Sequence, residues 1–139
     1  MAVITKYVEL STKGNAECAD ITPHLRNALA ETGLSGGVAT VFVPGATGGL
    51  TTVEYEPGLL RDMPELWERL IPSSARYHHD DTWGDGNGHS HLRATLLGPS
   101  ISVPFVDSSF TLGTWQQVIF IDFDVRARKR QLVVQFIGE

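Results

Sequence analysis

An α+β fold with largely antiparallel sheets is what this sequence predicts, and three observations carry the prediction. Five β-like runs crowd together after residue 93, two helical patterns precede them, and strands and helices do not alternate as a parallel βαβ sheet requires. At 139 residues the chain has the size of one ordinary domain with its own core, so a single compact domain over 1–139 is expected. An apolar fraction of 42% against a charged fraction of 19% excludes a disordered or low-complexity chain.

The elements follow from local chemistry. Residues 3–10 alternate loosely as a strand and run into a turn at 11–15 containing Gly14. Thr22-Pro23 then announces a helix, with threonine at the N-cap, proline at the first helical position, and Ile21 stapling the start. Leu25, Ala28 and Leu29 form its apolar stripe, and Gly33 terminates it. Residues 38–43 are rich in β-branched side chains and stop at Pro44-Gly45-Ala46-Thr47-Gly48-Gly49, before a second strand over 50–55. Leu59, Leu60, Met63, Leu66, Trp67 and Leu70 recur at helical intervals, and Pro64 predicts two short helical pieces in place of one. The later strands are expected at 94–97, 100–106, 109–112, 116–125 and 131–137. Within 116–125, Ile119, Ile121 and Phe123 share one face while Phe120, Asp122 and Asp124 share the other.

Several function classes are excluded. A net charge of −5 argues against nucleic-acid binding through a basic surface, while leaving room for a local positive pocket that grips a phosphate. The basic run Arg126 to Arg130 reads as a solvated hairpin turn. The lone Cys18 rules out an internal disulfide and cannot alone build a thiolate zinc site. No leader-like segment opens the chain and no apolar run reaches membrane-spanning length, so a cytoplasmic protein without membrane partners is expected.

The chemistry concentrates in residues 77–93, which hold four of the five histidines. Read as extended chain, the segment puts His89, His91 and Arg93 on one face, with His79 reaching across the loop. Three readings stay open at this point. His79, His89 and His91 bind a zinc-like ion with an open position for water or substrate; or one histidine moves a proton, oriented by Asp80 or Asp85; or the histidines are loop residues satisfied by hydrogen bonds and solvent. Arg93 is the candidate for gripping a phosphate beside the ion. Glu54, ending the 50–55 strand, is a candidate base or extra ligand. Gly45, Thr47 and Gly48 belong to a loop able to bring backbone amides close to an anion, although it lacks the lysine and helix of a P-loop. Thr114 and Gln116 can orient a ligand by hydrogen bonds from the turn at 113–117, where packing explains Trp115.

The ordered motifs His79-Asp80, Gly88-His89-Ser90-His91-Leu92-Arg93-Ala94-Thr95-Leu96-Leu97-Gly98-Pro99-Ser100, Val103-Pro104, Leu112-Gly113-Thr114-Trp115-Gln116 and Gly138-Glu139 resemble the YjbQ-like family, also called secondary thiamine-phosphate synthases. The resemblance covers nearly the whole chain. It implies a compact α+β homotrimer with a histidine-lined, metal-binding pocket near a subunit boundary, and it carries function to Glu54, His79, His91 and the turn from Gly113 to Gln116. The implied reaction joins a pyrimidine methyl diphosphate to a thiazole phosphate and releases diphosphate. Zinc suits the imidazoles and magnesium suits a diphosphate substrate. Where many relatives have His-Thr-Ser, this chain has Gly45-Ala46-Thr47, and His89 is expected to restore a third ligand from another backbone position. A metal-dependent hydrolase of a small phosphorylated or acyl substrate, with Glu54 or Asp80 as base, and a non-catalytic metal or anion-binding module are the alternatives.

Overall fold

Eight strands and four helices make up the computed structural model, which describes residues 1–139. β1 (Ala2–Thr12) pairs with β8 (Arg128–Gly138) in an unbroken antiparallel register from Ala2 opposite Gly138 to Thr12 opposite Arg128. β3 (Gly37–Phe42) covers the other edge of β8, and β5 (Ser100–Val106) and β6 (Ser109–Phe110) complete a five-stranded sheet in the order β1-β8-β3-β5-β6. β2 (Glu17–Asp20), β7 (Gln117–Asp122) and β4 (Gly48–Val53) form a second, three-stranded antiparallel sheet with β7 in the middle. The predicted α+β class with antiparallel sheets is the observed one.

The alternation along β7 explains the layering. Val118 and Phe120 enter the main core, where they meet Val41, Phe105, Leu132, Val134 and Phe136 of the large sheet and Leu25 and Leu29 of α1 (Thr22–Thr32). Ile119, Ile121 and the following Phe123 face the opposite way, into a smaller core with Trp67 of α2 (Pro57–Leu70) and Ala94 of α4 (Gly88–Leu97). The small sheet is therefore buried on both faces, and this is why β7 reads as a nearly continuous apolar run. Trp67 meets Phe123 edge to face, with ring centroids 5.3 Å apart. α4 comes very close to β4: a methyl group on Gly49 would stand 2.6 Å from a Leu97 side-chain carbon.

Local expectations are met unevenly. Gly33 ends α1 in the left-handed conformation at φ 70°, as predicted. Thr22 does not cap it, because its hydroxyl accepts the Val118 amide at 2.8 Å and so pins α1 to β7; Asp20 accepts the Thr22 amide at 3.0 Å instead. Pro64 does not divide α2, which runs unbroken behind an N-cap in which Glu56 accepts the amides of Leu59 (2.5 Å) and Gly58 (2.9 Å). β2 was not foreseen. It follows a turn in which Gly14, Asn15 and Ala16 all have positive φ (80°, 54° and 69°), held by amide bonds from Asn15 to Asp124 (2.6 Å) and from Ala16 to Asp122 (2.8 Å).

The largest correction concerns the histidine segment and the strand expected at 94–97. Both are helical: α3 (His78–Trp83) and α4, joined by the Gly84 and Gly86 turn. A second correction concerns the basic run: Arg128, Lys129 and Arg130 all lie in β8, and Arg130 is buried, whereas Arg126 is exposed in the turn as expected and Arg128 and Lys129 are exposed on the strand. No helix is long and apolar enough to cross a membrane.

Candidate functional site

Two short helices create the site. Asp80 of α3 accepts the Gly88 amide at the start of α4 (2.8 Å), and Gly88 is packed so tightly on Tyr77 that a methyl group would lie 2.6 Å from the Tyr77 Cβ. This docking brings His79 and His91 together, ring centroids 4.5 Å apart at 63°. His91 also lines a cavity of about 330 Å³ with Gly45, Ala46, Gly48, Thr95 and Pro99. The glycine loop and His91, far apart in sequence, thus share one opening, with His79 next to His91. Its loop side needs glycine: Gly45 has φ 105°, and any side chain at Gly48 would run into Phe120, 2.7 Å away.

His89 is not part of this pair. On a strand, residues two apart face the same way, but on a helix they are separated by about 200°. His89 accordingly turns inward beside Tyr77 (ring centroids 6.5 Å apart), is 7% exposed, and keeps its Nδ1 without a hydrogen-bond partner. Burial, followed by the nearby Arg93 cation, pushes its imidazole below the ordinary value and toward the neutral form. The expected triad of His79, His89 and His91 is therefore not assembled in one chain. No group of three or more His, Cys, Asp or Glu side chains is placed to hold a metal ion, so one chain's donors do not fit the expected zinc or magnesium.

Arg93 shares the inward face with His89. Its guanidinium donates to Glu68 (2.7 Å) and, through Nη2 and Nε, to the Ile71 carbonyl (2.8 and 3.1 Å), clamping α4 to the end of α2. These bonds direct it away from the His91 cavity and make it a structural cation, which corrects its expected phosphate-gripping position. The hydrogen bonds from Arg93 and Ser73 hold the Glu68 carboxyl down at about 2.

Glu54, Thr114 and Trp115 stand elsewhere. They line a separate cavity of about 380 Å³ with Asp20, Arg26 and Gln117, beyond the end of β4 opposite to Gly48. Six strand residues separate the two places, about 17–20 Å. Gln116 closes its own turn, accepting from the Gly113 amide (3.0 Å) and donating to Thr52 (3.1 Å). Trp83 and Trp115 are both largely exposed. A cavity of about 440 Å³ between Lys13–Cys18 and α2 holds none of these residues except Cys18, whose thiol burial, aided by Asp20, pushes up to about 12. That keeps Cys18 protonated and unreactive.

Sequence reasoning missed the polar network beneath the glycine loop. Arg130 grips Asp122 with Nε and Nη2 (2.9 and 2.8 Å), and Nη2 also donates to Thr47 (2.8 Å). Thr47 donates to Asp124 (3.3 Å), Arg128 binds Asp124 (2.8 Å), and Thr12 donates to Asp122. Burial alone would raise both carboxyls, but for Asp122 the bonds from Arg130 and Thr12, and for Asp124 that from Arg128, more than offset it and hold them below the usual range. A signal was available: Asp122 and Asp124 share a strand face with Phe120, and buried carboxylates require cations, which Arg128 and Arg130 supply with the same two-residue period. The Thr47 hydroxyl, a candidate ligand group, is committed to this network and anchors the loop.

Fold and site together define a class: a two-sheet antiparallel α+β protein that places a histidine pair beside a glycine-loop cavity. The family model described as "UPF0047 protein YjbQ-like" matches residues 6–139. A UPF0047 protein of Methanothermobacter thermautotrophicus is 36% identical over 139 residues, covering 100% of this chain and 95% of its own, and one of Archaeoglobus fulgidus is 37% identical over 124 residues, covering 89% and 94%. Among solved structures, a YbjQ-like protein of unknown function from Sulfolobus solfataricus superposes with a TM-score of 0.89 at 25% identity over 99% of this chain and 100% of the other. A yjbq/upf0047 family protein from Clostridium acetobutylicum does so with 0.86 at 32% identity over 95% and 99%. This chain belongs to the YjbQ-like UPF0047 family.

Proposed function

We propose that this chain is a small-molecule enzyme working at the His79–His91 cavity, with transfer of a pyrimidine methyl group onto a thiazole phosphate as its reaction. The observation that supports this most directly is the meeting of His91, itself paired with His79, with a glycine loop at one opening. In that reaction the carbon–oxygen bond to the diphosphate breaks, the electron pair leaves with diphosphate, and the thiazole nitrogen forms the new carbon–nitrogen bond. The chemical demands are donors for the departing diphosphate and a surface for a heteroaromatic ring. The loop side of the cavity meets the first demand and the exposed Trp115 the second.

Those two features lie at opposite ends of β4, so the reading includes the homotrimer and a site at its subunit boundary, where the Glu54 and Trp115 end of one copy faces the His91 end of another. An ion, zinc or magnesium, belongs to the reading only with donors from more than one copy, and no step is routed through it. A cytoplasmic setting accords with this small-molecule role. Hydrolysis of a small phosphorylated or acyl substrate is the second reading, favoured by the exposure of Glu54, Gly45 and Ala46 to water.

Incubation of the protein with both substrates, followed by chromatography, tests the proposal. Thiamine phosphate that appears with wild type and falls at least tenfold with His91→Ala supports it. Phosphate or diphosphate released without the thiazole acceptor favours hydrolysis, and no turnover of either kind removes both readings.

A further inference from the structure

Arg130 is about 95% buried, yet not all of its donors are used within the protein. Nε and Nη2 make every bond to Asp122 and Thr47, which leaves Nη1 on the side of Gly45: a Cβ at Gly45 would stand 3.4 Å from it. Gly45 has no such atom, and Gly45 itself lines the cavity shared with His91. The loop above is equally unspent. Gly45, Ala46 and Thr47 lie outside every strand and helix, and none of their amides donates to a protein acceptor. Three amides without a protein acceptor, next to a buried guanidinium with one nitrogen unused, make a donor arrangement of the kind phosphate oxygens require.

We infer that Arg130 Nη1 and the amides of Gly45, Ala46 and Thr47 form a phosphoryl-binding floor beside His91, taking the diphosphate or phosphate group of the substrate. The inference rests on the reading of this cavity as a substrate site and deepens it by assigning the place of the phosphate. Arg130 and Arg128 are balanced by Asp122 and Asp124, so recognition comes from directed donors and not from net charge. The same geometry gives the glycine its purpose. A side chain at Gly45 would project toward the guanidinium and lie between it and its ligand. Arg130 is a binding residue under this assignment, and Arg93 is not.

The test is a ¹H–¹⁵N NMR titration of the full chain with inorganic phosphate and with diphosphate at fixed ionic strength. Saturable shifts of the Gly45, Ala46 and Thr47 amides and of the Arg130 guanidinium, sharing one dissociation constant, are expected. Arg130→Lys keeps a cation opposite Asp122 but loses Nη1, and is expected to weaken binding about tenfold or more, while Arg93→Lys leaves it unchanged. Should Arg130→Lys fail to fold, Gly45→Ala keeps the Arg130–Asp122 pair and is expected to weaken binding similarly. Resonances that do not move on titration, or wild-type affinity in a folded Arg130→Lys or Gly45→Ala protein, overturn the inference. Phosphate binding at these resonances without thiamine phosphate synthesis removes the transferase reading alone; synthesis undiminished in Arg130→Lys removes the phosphate floor alone.

Discussion

Glu68 of α2 and His89 of α4 are expected to shape the pH dependence of stability, in separate windows. Glu68 has its carboxyl held at about 2, well under the 4.5 of a free side chain. A depressed acid stabilises the fold above its unfolded value and loses that contribution as pH falls toward the folded one. Glu68 is half exposed while Arg93 is buried, so solvent screens the pair and the effect is small. Acid titration of Glu68→Gln should lack the part of the wild-type stability loss lying between about pH 4.5 and 2. His89 acts in a higher window: its folded value is below the ordinary 6.5, so the unfolded chain takes up a proton that the folded chain resists. Melting temperature should therefore fall as pH drops below about 6.5, and His89→Gln should flatten that slope; an unchanged slope would mean that His89 is not the group responsible. His89 is the one of the two that the extended-chain reading placed in a ligand set, and its altered role follows from the change of element.

Elements decide the geometry of the His91 cavity. α4 is positioned by its approach to β4 at Gly49 and by the Arg93 clamp onto α2. Gly49→Ala would force its new methyl against Leu97 and push the helix outward. The expected cost is about 1–3 kcal/mol, measured by denaturant unfolding, as for other overpacked sites. The substitution should also weaken ligand binding at the cavity, because His91 moves with the helix; intact affinity would show that the loop alone holds the ligand. The helix was legible in part. Gly98-Pro99 forms a helix stop, and Ser90, Ala94 and Leu97 recur at helical spacing. Three glycines at 84, 86 and 88 concealed these signals, since glycine commonly marks a loop. Gly88 is there because Tyr77 leaves no space for a Cβ, a tertiary fact that no local rule contains.

At the scale of the whole molecule, the Asp122–Arg130 network joins β1, β7, β8 and the glycine loop through Thr12, Asp122, Arg130 and Thr47. Asp122→Asn removes the charge opposite a buried guanidinium and is expected to destabilise the protein by about 3–5 kcal/mol in denaturant unfolding. A loss below 1 kcal/mol would mean that water already solvates Arg130. The proposed subunit-boundary site makes a different forecast. Glu54→Ala and His91→Ala homotrimers are each expected to be inactive, and mixing them after partial denaturation should restore part of the activity, because some mixed boundaries combine an intact Glu54 end with an intact His91 end. Activity that stays absent on mixing, with mixed trimers shown by mass, places both residues' work within single chains and removes the shared site.

The sequence by itself determined the class, the antiparallel sheets and most strands, because period-two patterning and β-branched runs are local properties. Residues 100–106 coincide with β5, and the face assignment along 119–124 separates the two cores of the structure. It also named His79, His91 and the loop at 45–48 as candidates, and the structure places His91 and the loop at one opening with His79 beside His91. Only the tertiary structure decided that His89 and Arg93 turn inward, that Glu54 stands at the far end of β4, and that Arg130 lies beneath Gly45. Each of these depends on which element a residue occupies and what packs against it, and that is settled by contacts between segments 22 to 110 residues apart. A buried charge is the clearest instance: its presence is written in the sequence, but its partner is chosen by the fold.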